Sequence, residues 1–300
     1  MDPWLLLGVK RVENIATEVA IWWATLSVLA IFNVLVWGFS SRAFMRMKER
    51  SPGHYSARWP HVVLSAIYVA GCAFRSWLPR ADVQRIVLYD SFLSSVLVGR
   101  SVATIAELAF VAQWALMLRE LGNAEEDRFV LKVSQVVVPV IVVAETCSWY
   151  AVLTTSYLGN ALEQSLWTFT AGLMAVALFV LWRRAQGSQR LFLGGAIVVC
   201  AGFVAFMCSV DVPMYLSRWR ADELSGRTYF SLTQGLQDVS QRWVVTHSYQ
   251  DWRDEIAWMT LYFSLAVWVS LSLVHAPRHP KLVMARSKPS RSARASQPAE

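Results

Sequence analysis

Arg100, Thr104, Glu107 and Trp114 share one stripe of a single apolar run, because seven residues carry a helix through almost two full turns. A guanidinium and a carboxylate so arranged can bind a charged group, hold a proton or neutralise each other. Inside a bilayer each costs at least about 2.5–3.5 kcal/mol to insert, so each calls for a partner, a cavity or a function. Gly99, Ala103 and Ala106 lie beside the stripe and let a neighbouring helix approach closely, so the stripe is expected to face inward. The next apolar run carries Glu145. At about 1.5 Å per residue along two antiparallel helices, Arg100 and Glu145 reach similar depth, which predicts an ion pair between them. Glu107 then needs Arg100, a proton or a cavity. Lys132 is a poor partner, being on nearly the opposite side of its helix from Glu145 and placed to snorkel to the surface.

Polar groups also gather toward one end of the runs: Arg75, Asp90, Thr154, Thr155, Asn160, Glu163, Asp211, Asp254 and Glu255. Pro139 removes a backbone hydrogen bond within its run and predicts a kink there. The expected result is an outward-facing polar pocket. Arg100, Thr104, Glu107, Glu145 and Asp211 are its candidate ligand-binding residues, with Arg75, Trp149, Tyr150 and Glu255 lining the outer part and Tyr157 nearby. The plainer alternative is that paired charges fix helix register and boundary acids favour helix amino termini.

Other chemistries find little support. Of five histidines, His54, His61, His275 and His279 fall at one boundary and His247 in a loop, so no buried pair is available for haem. His275 and His279 have a metal-like spacing, but Pro277 and Pro280 interrupt a helix there, and no metal is expected. Cys72, Cys147, Cys200 and Cys208 lack redox or metal spacing and read as small packing residues, with a disulfide at Cys208 as an alternative. Nucleophile, phosphate-loop and aspartate-cluster motifs are missing. No catalytic residue is assigned and no cofactor is indicated.

The elements that must position these groups are legible from composition. The 300 residues are 55% hydrophobic and 16% charged, with mean hydropathy +0.38, too apolar for an ordinary soluble domain. The apolar residues group into runs that match the roughly 20 residues needed to cross a bilayer. An all-α, polytopic transmembrane bundle of about seven helices is predicted: Ile15 to Phe39, Pro60 to Leu78, Ser91 to Leu118, Phe129 to Thr155, Ser165 to Trp182, Leu191 to Tyr215 and Glu255 to His275. The second run is weakest, since Arg75 interrupts it. Lys and Arg between runs favour an amino terminus outside and a carboxyl terminus inside, 17 cations falling inside against 10 outside. Fifteen tryptophans, mostly near run ends, suit headgroup anchoring.

Residues 1–276 are therefore read as the seven-helix domain and 277–300 as a disordered, basic cytoplasmic tail. Trp4 to Val9 is too short and lacks the basic flank of a signal peptide, so no cleaved targeting segment is expected. Gly122 reads as a left-handed helix end, and Asn123 with Glu126 as a capping box opening the next helix. In the long outer loop 217–253, Leu232, Leu236, Val239 and Trp243 recur at helical spacing. That segment is expected either on the membrane surface or as a lid over the bundle.

The leading functional reading is an integral membrane protein of a plasma or bacterial inner membrane. It would bind a small or lipid-like ligand in the outward-facing pocket, for sensing or transport. An odd helix count and no visible internal repeat weaken the usual paired-repeat transporter construction. One alternative is a membrane-embedded lipid-modifying enzyme using intramembrane carboxylates, and another is a structural or assembly subunit with no site. Membrane lipid and a small or lipid-like molecule are the expected partners. Nucleic acid is not needed to explain a pI near 9.4, because the basic residues sit where such an orientation requires them.

Overall fold

A computed structural model describes residues 15–50 and 52–277. The stretch Trp4 to Val9 and the basic tail from residue 278 lie outside the described residues. In chain order the elements are α1 (Thr17–Met45), α2 (Met47–Arg50), α3 (Pro52–Trp77), β1 (Arg80–Ala81), β2 (Ile86–Val87), α4 (Val96–Glu125), α5 (Arg128–Thr154) and α6 (Tyr157–Arg184). They continue as α7 (Gly187–Phe206), α8 (Val212–Leu224), α9 (Leu232–Gln241), β3 (Val244–Val245), α10 (Tyr249–Leu261) and α11 (Val267–Val274). A π-helical turn at Met207–Asp211 joins α7 to α8, and another at Tyr262–Ala266 joins α10 to α11.

Among the described residues, six helices are long and apolar enough to cross a membrane: α1 with α2, then α4, α5, α6, α7 with α8, and α10 with α11. The chain is a multi-pass, predominantly helical membrane protein in contact with lipid. The seventh expected run is a helix of 26 residues, α3, but it falls short of the other six in hydropathy. Arg58, His61 and Arg75 are the reason. It packs among the others along its length: Trp23 donates to the Trp77 carbonyl at one end (3.1 Å) and Arg58 to the Ala276 carbonyl at the other (3.0 Å). Between them, buried Gln113 of α4 donates to the carbonyls of His61 in α3 (3.2 Å) and Ser270 in α11 (2.9 Å) and accepts from the Ser270 hydroxyl (2.7 Å). These bonds satisfy a polar group that burial would otherwise penalise.

Several expected boundaries shift. The run α6 begins at Tyr157 rather than Ser165, directly after a two-residue turn in which Thr155 takes positive φ (62°). Gly122 does not end α4. Glu126 takes the left-handed position (φ 55°), the Asp127 amide donates back to the Gly122 carbonyl (2.9 Å), and Asp127 rather than Asn123 caps α5, accepting from the Phe129 and Val130 amides. An acid at the start of α5 serves two of the four N–H groups that a helix start leaves unpaired, which an asparagine four residues earlier cannot reach. Pro139 lies within an uninterrupted α5. Pro213 follows the first π turn, where the Val212 amide reaches five residues back to the Met207 carbonyl. A wider turn suits a residue with no N–H to offer the carbonyl four places earlier.

The all-helical expectation missed one small feature. At the end of the bundle where α3 stops and α4 begins, three two-residue strands form a sheet of order β1–β2–β3, with β1 and β2 antiparallel and β2 and β3 parallel. Beside it, α9 covers the bundle as a lid. Val239 packs with Val96 and Val152, and a Cβ on Gly235 would overlap the Leu153 carbonyl. Leu232 and Leu236 remain 53% and 60% exposed, so the stripe divides: one edge meets the bundle and the other faces outward. Arg85, fully buried, ties sheet to lid by donating to Asp238 (2.6 Å) and to the Val152 carbonyl of α5 (2.7 Å).

Candidate buried charge site

Arg100 lies just over one turn into α4, and three successive helices surround its guanidinium with carboxylates. Nη2 is 2.6 Å from Glu145 Oε2 of α5, 3.2 Å from Glu107 Oε2 of α4 and 3.5 Å from Glu163 Oε1 of α6. The expected Arg100–Glu145 pair is therefore present, and Glu107 finds its cation in Arg100 as well. Thr104 donates to the same Glu145 oxygen (2.6 Å) and receives the Trp149 indole N–H (3.2 Å). Arg100 is 6% exposed, and Glu145 and Glu163 are each 3% exposed. Charges this deep are held by their partners, because their desolvation is not otherwise repaid.

Glu163 is the member that sequence reasoning separated from the group. Starting α6 at Ser165 left Glu163 in a turn, among polar residues at the outer end. The signal available was the run Thr154, Thr155, Ser156, residues suited to ending one helix and opening the next. Asn160, one turn before Glu163, donates to its Oε2 (3.3 Å). Gly159 permits this approach, since a Cβ there would stand 2.6 Å from the Cys147 carbonyl of α5.

A second layer lies above this group, toward the lid. Arg80 is completely buried, donates through Nε to Asp82 (2.7 Å) and through Nη1 to the Ser95 carbonyl (2.9 Å), and lies where a Cβ on Gly99 would be. Arg75 adds a longer contact to Asp82 (3.9 Å) and faces the Phe263 ring. Burial opposes ionisation of Asp82, but Arg80, then Arg75 and Arg100, outweigh it and hold its carboxyl at about 2. Arg80 and Arg85, counted from sequence as loop cations, are thus interior groups. In the same layer Glu255 accepts from Gln84 (3.3 Å) and from the Trp258 indole (2.6 Å).

Asp211 is buried in the first π turn, and its carboxylate makes no hydrogen bond or ion pair among the described residues. It lies on the α8 side, where Tyr215 and Tyr157 rings are 6.2 Å apart and the Arg218 guanidinium sits 5.6 Å from the Tyr157 ring. Arg218 reaches across to Asp254 of α10 (3.2 Å). Tyr150 does not join the site: it is 47% exposed, on the face of α5 turned away from Glu145. The four cysteines are free.

Of the nine candidates, Arg100, Thr104, Glu107, Glu145 and Trp149 thus come together. Arg75 and Glu255 form the layer above them, Asp211 stands to the side, and Tyr150 faces out. No protein-family model, curated protein or solved structure matches this chain.

Proposed function

We propose that this membrane protein binds a small or lipid-like ligand carrying a positively charged group, in the outer half of the bundle, for sensing or transport. One observation carries the reading: three buried carboxylates from three helices converge on a single guanidinium, an excess of negative charge that a purely structural ion pair does not need. The layer above, with Arg75, Asp82, Arg80 and Glu255, holds as many cations as carboxylates and leaves that excess uncompensated. Between α8 and α10 the exposed pair Arg218–Asp254 bridges the rim, beside buried Asp211 and Glu255, which makes this the natural side of entry.

The reading predicts a response to amines. In nanodiscs, the full chain is challenged with tetramethylammonium, spermidine, phosphatidylethanolamine and, as an anionic comparison, phosphatidylglycerol. At least one cationic probe is expected to raise Tm by a few degrees at saturation, consistent with roughly 2–3 kcal/mol of binding linkage, and Glu145→Gln is expected to remove that rise. If no cationic probe moves Tm while Glu145→Gln remains folded and monodisperse, the charges serve helix register alone. The enzyme alternative gains no separate support, since Glu107 and Glu145 are both engaged with Arg100.

A further inference from the structure

The carboxylates of Glu107, Glu145 and Glu163 can each present an oxygen such that all three lie within 4.8 Å of one another. With all three ionised, one guanidinium leaves this group with two negative charges in excess, in surroundings where unbalanced charge is costly. The oxygens are also incompletely used. Glu145 Oε2 is taken by Arg100 and Thr104, whereas Glu145 Oε1 has no hydrogen-bond partner. Asn160 lends its amide to Glu163 while its own Oδ1 is unpartnered, and the hydroxyl of Ser148, one turn along α5 from Glu145, lies within reach of the Glu163 carboxylate. These side chains are 3%, 8% and 0% exposed. Buried acceptors without donors are rare in native structures, and a water or a bound ion commonly completes them.

We propose that Glu107, Glu145 and Glu163, with Asn160 Oδ1 and Ser148 Oγ, form a binding site for one divalent cation of the oxygen-seeking class. The donor set is all oxygen, mixing carboxylate, amide carbonyl and hydroxyl, as such cations prefer and as softer metals do not. Two charges on the ion balance the group while Arg100 keeps its face of Glu145. Calcium suits such a set better than magnesium, because it accepts about six to eight oxygens in flexible geometry, whereas magnesium sheds its water reluctantly and is seldom held by an all-protein cage. The expectation of no metal rested on histidine placement, cysteine spacing and the lack of an aspartate-cluster motif, none of which bears on carboxylates brought together from three helices.

The site rests on the same excess of charge as the ligand reading above: the ion is one positively charged occupant of these carboxylates and competes with an amine for them, so it is tested without any organic ligand. The full chain, in nanodiscs and stripped with chelator, is titrated with radioactive calcium by equilibrium dialysis, with magnesium as competitor. One saturable calcium per chain is expected, with magnesium weaker, an affinity loss of about tenfold or more for Asn160→Ala and a larger loss for Glu163→Gln. Absence of saturable binding to the wild-type chain at millimolar calcium overturns the site, as does binding that both variants leave unchanged. Asn160→Ala changes no charge, so it decides the matter should Glu163→Gln lose its fold. Calcium binding lost with the amine response intact sinks the ion site alone; the reverse sinks the ligand reading alone.

Discussion

Asp82 shows how a single residue can report on the buried network. Its carboxyl is held at about 2 by Arg80 and Arg75 against the cost of burial, whereas in the unfolded chain it titrates near 3.9. A depressed folded value means that its stabilisation is complete above about pH 4 and is lost as pH falls toward 2, a contribution of roughly 2 kcal/mol. Thermal melting in micelles across pH 6, 4, 3 and 2 measures it: Asp82→Asn should flatten the loss between pH 4 and pH 2 relative to wild type. Gly99→Ala should do so in part. Its new methyl takes the place of the Arg80 guanidinium, and that side chain, although flexible, is enclosed by Asp82 and the Ser95 carbonyl. Equal acid loss in wild type and Asp82→Asn removes the argument. At this scale, the sequence reveals Arg100 and Glu145 because depth along two helices is simple to count. It conceals Arg80 and Arg85, since a cation between apolar runs looks like a solvated loop residue until strand pairing folds it inward.

The lid helix illustrates the same limits one level up. The spacing of Leu232, Leu236 and Val239 announces α9, and Ser231 with Gln234 forms a reciprocal capping box at its start. Periodicity cannot say which edge meets the bundle; the deciding position is Gly235, pressed against the Leu153 backbone. Gly235→Ala should therefore lift α9 while leaving the spans intact. Trypsin cleavage after Arg242 is expected to accelerate at least about fivefold, as local opening becomes easier, with little change in helical circular dichroism. Unchanged cleavage would mean that Gly235 is not what seats the lid. The missed first turns of α6 have a related cause: Asn160, Glu163 and Gln164 make that stretch look like a connection, and only neighbouring Arg100 makes its burial tolerable.

For the whole molecule, orientation is the expectation with the widest reach. An outside amino terminus and a crossing by α3 are tested together by impermeant maleimide labelling of intact cells, on a Cys208→Ser background because that thiol is exposed. Phe92→Cys and Ser225→Cys should react in intact cells, and Lys48→Cys and Gln186→Cys only after permeabilisation. The inverse pattern reverses the orientation, and labelling of Lys48→Cys and Phe92→Cys from one side removes the α3 crossing. Membrane class is the part of the fold most legible from composition, because length and hydropathy of six runs suffice for it. The convergence of α4, α5 and α6 on one guanidinium is the part least legible, because it depends on helix rotation as well as depth.

The modest hydropathy of α3 also bears on how the chain is made. Taken alone, a segment carrying Arg58, His61 and Arg75 gains little by leaving the aqueous channel for lipid, each arginine opposing entry by up to about 2.5–3.5 kcal/mol. Its compensation comes from later in synthesis: Glu120 for Arg58 and Asp82 for Arg75. Should labelling place α3 across the bilayer, committed insertion of that segment is expected to await the emergence of α4, the nascent chain entering the membrane there as a helical pair rather than one helix at a time.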